Sequence, residues 1–139
     1  MTTPLSIRFS PTLLDRLRAR AAARDLTPSG LAQRLVDEGL RSQEFPGVVF
    51  RDGPSGRRAA LSVGPDVWEV IAALRDSETR GDEAIAAIAA DFELTPGRVR
   101  AALDYYGAYA DEIDREIARN DRAADEAQRG WQAQRRLLA

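Results

Sequence analysis

"PLSIRFSPTLLDRL", residues 4–17, changes its pattern halfway. Leu5, Ile7 and Phe9 alternate with Ser6, Arg8 and Ser10, the period of a half-buried strand. From Ser10 the pattern turns helical. Ser10 suits an N-cap, Pro11 the first helical position, and Leu14, Leu17 and Ala21 recur on one face. "DLTPSG" repeats that start signal, with Thr27 as N-cap and Pro28 behind it. Leu31, Leu35, Val36, Gly39 and Leu40 then form the apolar side of a second helix, expected to fade into a short linker at 41–44. No second alternating run follows before residue 47, so the strand has no partner near it in the chain.

The rest of the composition narrows the chemistry. The chain has 139 residues, room for one ordinary domain or two small ones. All 20 basic residues are arginine, and histidine and cysteine are absent. That excludes disulfides, thiol nucleophiles, imidazole bases and Cys/His metal sites. No enzyme activity and no cofactor are expected. The longest apolar run, residues 84–90, is far short of the roughly 18 residues a membrane span needs. The N-terminus also lacks the apolar core of a signal peptide, so a cytoplasmic protein without membrane contact is expected. A net charge of −2 hides an uneven distribution. Residues 1–43 carry seven arginines against four acids, whereas residues 44–110 carry seven against eleven. The most basic segment is the one that begins with the lone strand.

Beyond residue 44, "FPGVVF" and "RRAALSV" flank "RDGPSG" and predict a hairpin of residues 48–50 with 58–63. The "GPSG" around Ser55 looks superficially like a nucleophile loop, but with no histidine in the chain it reads as a turn. A helix from about Asp66 to Arg75 should follow, then two more broken at "ELTPG". There Thr95 is the N-cap, and Val99, Ala102, Leu103 and Tyr106 make the apolar face. Asp82 and Glu83 read as a charged first helical turn. From Tyr109 a long charged helix should run to the C-terminus. Ile113, Ile117, Ala124, Ala127, Trp131 and Leu138 form one seam of period near 3.5, with Asn120 and Gln134 at its remaining steps. Packing on the preceding helices should reach about Arg119.

A single alternating strand followed by two capped helices is the pattern of a ribbon-helix-helix domain. From "LSIRFS" through "LLDRLRARAAARDLTPSGLAQRLVDEGL" the chain resembles the CopG/Arc-type ribbon-helix-helix family. The resemblance implies that two chains pair their strands, with Leu5, Ile7 and Phe9 facing a shared four-helix core. It places Ser6 and Arg8 at base-reading positions in the DNA major groove, and Thr27, Pro28 and Ser29 at a phosphate-binding helix N-terminus. Pro4 departs from the family, which often carries a basic or polar reader there.

"FPGVVF", "GRRA", "PDVWEV" and "YYGAYADEID" are similar to a second family of bacterial domains, which combine a hairpin with a helix-turn-helix and occur in VapB-like antitoxins. Those relatives often open with His-Pro-Gly where this chain has Phe45-Pro46-Gly47. The fold expected is mainly α: a ribbon-helix-helix domain over 1–43, a hairpin plus helix-turn-helix over 44–110, and a C-terminal helical tail over 111–139. Arg98 and Arg100 begin the second helix of that pair, but its acidic surroundings favour oligomerisation over DNA contact. The two resemblances together imply a type II toxin–antitoxin antitoxin, acting as a homodimer or higher oligomer. It would bind operator DNA and a toxin, expected to be a PIN-like ribonuclease. Arg129, Trp131, Arg135, Arg136, Leu137 and Leu138 are the expected toxin-binding residues. The competing expectation is a stand-alone ribbon-helix-helix repressor.

Overall fold

The computed structural model describes every residue of the chain except Ser55, so the turn expected there lies outside the described residues. It is mainly helical, with one two-stranded antiparallel sheet. The chain divides into two compact units, Met1–Arg41 and Ser42–Ala139.

In the first unit, α1 (Pro11–Ala23) starts as the sequence dictates: the Ser10 hydroxyl accepts from the Leu13 N–H at 3.3 Å, and Pro11 opens the helix. α2 (Pro28–Glu44) begins in the same way, with the Thr27 hydroxyl accepting from Gly30 N at 3.1 Å. It does not fade at 41–44 but stays helical through Glu44. The strand expected over residues 5–9 is not formed in the single chain, where residues 1–10 have no regular structure. The reason is physical: a strand exists through hydrogen bonds to a neighbour. The only strand pair among the described residues is further along the chain.

The second unit opens with β1 (Val48–Gly53) and β2 (Gly56–Leu61), a hairpin whose register pairs Val48 with Leu61 and Phe50 with Ala59. The strands extend further toward the turn than expected and stop earlier at the far end. Four helices complete the unit: α3 (Val67–Asp76), α4 (Gly81–Asp91), α5 (Pro96–Ala108) and α6 (Ala110–Leu138). Their apolar faces meet the inner face of the hairpin in one core, which includes Val48, Leu61, Val70, Ile88, Val99 and Ile113. Asp66 is the N-cap of α3 and forms a capping box with Glu69. Thr95 caps α5, accepting from Arg98 N at 3.3 Å. The tyrosine buried most deeply on α5 is Tyr105, fully enclosed, rather than the expected Tyr106, which is half-buried. Tyr105 stacks on Tyr109 at 4.8 Å and takes the edge of Phe45 at 5.5 Å.

One turn occurs twice. α1 leads to α2 through Asp25-Leu26-Thr27-Pro28, and α4 leads to α5 through Glu93-Leu94-Thr95-Pro96. Asp25 and Glu93 are left-handed, at φ 54° and 55°. Leu26 N donates to Ala21 O at 2.9 Å and Leu94 N to Ala89 O at 2.7 Å. These are the long bonds of a Schellman ending, with an acidic residue in place of the usual glycine. The threonine of each turn then caps the next helix.

Candidate functional site

The residues expected to touch DNA all lie in the first unit. Ser6 and Arg8 are exposed within the irregular N-terminal segment. Thr27, Pro28 and Ser29 form the exposed start of α2, where first-turn N–H groups have no acceptor inside the helix. Around them the unit is under-filled. Its buried apolar side chains are Ala21 and Leu31, while Leu5 is 81% and Ile7 57% exposed. Leu13, Leu35, Val36 and Leu40 are exposed as well. An open groove of about 520 Å³ runs between the helices, lined by Leu13, Leu17, Leu31 and Leu35 among others. Units of about 40 residues seldom hold together without disulfides, metal or a second chain, and this chain has no cysteine.

The residues expected to bind a toxin lie at the far end of the second unit. The first turns of α6 are anchored by the buried Ile113, Glu116 and Ile117. Beyond Asn120 every residue is exposed, although the helix continues to Leu138. Arg129, Trp131, Arg135, Arg136, Leu137 and Leu138 therefore all stand in solvent. Trp131 and Arg135, one turn apart, are brought together, with the guanidinium 4.9 Å from the ring centre.

The structure also assembles a cluster that the sequence did not signal. In the hairpin register Arg51 lies opposite Arg58, a like-charge pair that would oppose pairing. Each arginine turns elsewhere. Arg51 donates to the carbonyls of Leu61 (2.6 Å), Ser62 (3.3 Å) and Gly64 (3.3 Å), tying down the link between β2 and α3. Arg58 forms an ion pair with Asp66, which also accepts from Trp68 Nε1 at 3.3 Å. Glu116, on α6, is only 5% exposed, and its Oε2 has no hydrogen-bond partner among the described residues.

Burial, helped by the nearby carboxylate of Glu112 and more weakly by Asp66, pushes the Glu116 carboxyl up to about 7, against the opposing pull of Arg119 and Arg58. The folded chain thus keeps a proton that the unfolded chain releases near 4.5. Stability should fall as pH rises from 4.5 to about 7 and stay lowered above it. At about 1.4 kcal/mol per pH unit, the loss comes to about 3 kcal/mol. Glu116→Gln should remove this slope and be the more stable protein at pH 8, as measured by urea unfolding at pH 5 and pH 8. Equal pH dependence in both proteins would mean that Glu116 loses its proton in the folded chain as readily as in the unfolded one.

On the α4–α5 pair, Arg100 is held by Asp82 at 2.7 Å, and Arg98 is exposed. Asp82 and Glu83 occupy the first turn of α4. Among the described residues no group of three or more acidic side chains could hold a metal ion, and no helix is long and apolar enough to cross a membrane. No family model, curated protein or solved structure matches the chain.

Proposed function

We propose that the protein is a VapB-like antitoxin of a type II toxin–antitoxin module. Its N-terminal unit dimerises as a ribbon-helix-helix and binds the operator of its own operon. The end of α6 binds and inhibits a toxin of the PIN-like ribonuclease type. The observation that carries this reading is the end of α6: residues 121–139 are helical almost throughout, wholly exposed, and finish in Trp131, Arg135, Arg136, Leu137 and Leu138. A helix of this composition gains little from its own seam, so its large apolar and cationic side chains fit a role in contacting another molecule. Tryptophan and arginine are the residue types that most often dominate binding energy. An arginine can also pair bidentately with the clustered carboxylates of a metal-dependent nuclease.

The under-filled first unit supports the other half of the reading. Pairing two copies would cover Leu5, Ile7 and Phe9, and would turn Ser6 and Arg8 outward on a two-stranded ribbon of a size that fits the major groove. The start of each α2 would then offer the Ser29 N–H to a phosphate, since Pro28 has none and Gly30 N donates to the Thr27 hydroxyl. Arg8→Ala should lose about 1–3 kcal/mol of preference for the operator over unrelated DNA while the protein stays folded. A binding titration that finds the preference intact would remove Arg8 from the base-reading set.

Deleting residues 130–139 should leave operator affinity unchanged and weaken binding of the toxin encoded beside this chain, followed by co-purification and by inhibition of its ribonuclease activity. If the shortened protein inhibits as well as the full chain, the inhibitory contacts lie upstream on α6. If no neighbouring product co-purifies with the full chain, the stand-alone repressor takes precedence.

A further inference from the structure

We infer that the exposed end of α6 pairs antiparallel with the same segment of a second copy of this chain. The seam continues past the anchored turns as Asn120, Ala124, Ala127, Trp131, Gln134 and Leu138, alternating steps of four and three, the spacing of a helix pair. Charge along this segment is polar. Asp121, Asp125 and Glu126 dominate its first part, with only Arg122 against them, whereas Arg135 and Arg136 stand unopposed near its end. In a parallel pair like ends would meet like ends. In an antiparallel pair the acidic part of each helix lies along the basic part of the other, and Asp121 flanks the seam opposite Arg135 of the second copy.

Side-chain size points to the same register. With the two-fold axis near residue 129, each Trp131 falls opposite Ala127, each Leu138 opposite Asn120, and each Leu137 beside Ala123. Every large apolar residue of the segment meets a smaller one. Gly130 lies beside the axis, next to the layers that hold the two Trp131 rings. Nothing within the chain requires glycine there: a Cβ at 130 would meet no atom within 4 Å. Glycine weakens a helix, and the room that two Trp131 rings need beside the axis accounts for its presence. Trp131 is 55% exposed in the single chain and would be covered in the pair.

The inference concerns the surface that the antitoxin reading gives to a toxin, but it does not depend on that reading. It holds for the chain alone, and a toxin would have to displace the second copy.

The full chain has no cysteine, so introduced cysteines give an unambiguous readout. The double variant Ala124→Cys/Gln134→Cys places each thiol opposite the other type on the second copy, while the two thiols of one helix are about 15 Å apart and cannot join. Mild oxidation should give a covalent dimer from the double variant and none from either single variant. Adding Arg135→Asp should slow cross-linking at least tenfold, and adding Asp121→Arg as well should restore it. Cross-linking by the Ala124→Cys variant alone would overturn the antiparallel register. No cross-link in the double variant, or a rate indifferent to the charge changes, would overturn the pairing. None of these results bears on toxin binding, which is read by co-purification.

Discussion

Ile7→Asp is expected to break the proposed strand-paired dimer and abolish operator binding, and together with Arg135→Asp to leave a monomer of 15.3 kDa. In the proposed dimer Ile7 sits in the middle of the paired strands, facing the shared core between two flanking apolar residues. A carboxylate there would be removed from water with no cation beside it, and the two-fold axis would put a second one close by. Leaving a buried charge unpaired costs about 3–5 kcal/mol, and here the cost arises twice in each dimer. Operator binding needs both strands, so it should be lost together with the dimer. Sedimentation of the variant also carrying Arg135→Asp separates this interface from the proposed contact between α6 ends. A dimer that survives both changes would mean that the copies associate through the second unit. Ile7→Val is the control and should keep both properties.

Tyr105→Ala should unfold the second unit at denaturant concentrations that leave the natural protein intact. Tyr105 is fully buried, stacks on Tyr109, and takes the edges of Phe45 at 5.5 Å and Phe50 at 6.3 Å. Its hydroxyl donates to Glu112 at 2.6 Å, fixing the first turn of α6 to α5. Cutting an aromatic side chain of this kind back to alanine costs about 3–5 kcal/mol, part of it from the cavity left behind. Tyr105→Phe isolates the hydroxyl and should cost about 1.5–3 kcal/mol, the range for a hydrogen bond to a charged group. Urea titrations of the three proteins at one pH would order them. A loss in Tyr105→Ala no larger than in Tyr105→Phe would mean that the ring contributes little.

The features legible in the sequence were those whose causes lie within a few residues. Ser10, Thr27 and Thr95 act on N–H groups three positions ahead, so each cap could be read from one short stretch. The hairpin and the point where α6 leaves the core were visible for a similar reason, the first from two apolar runs about a Gly/Pro stretch and the second from apolar spacing. Tyr105 and Tyr106 show where this stops. Both lie one turn beyond Ala102, and only the aromatic neighbours Phe45 and Phe50, from distant parts of the chain, select the first. The pairing of Arg58 with Asp66 near Glu116 depends on three separate elements, and no local pattern encodes it. The N-terminal segment reads as a strand because of its alternation, yet its own unit holds no second strand for it to join.

The placement of the two tryptophans gives the protein a pair of built-in optical reporters. Trp68, half-buried on α3 with its indole N–H on Asp66, senses the integrity of the hairpin–helix core. Trp131, on the exposed end of α6, senses whatever comes to lie against that helix. Emission from Trp131 should be red-shifted and open to iodide quenching in the single, unpaired chain, and both properties should diminish when the helix is covered. Emission from Trp68 should hold steady until the core unfolds. With Phe substituted at one position or the other, binding at the tail and melting of the core can each be followed as a separate signal, without attaching a dye.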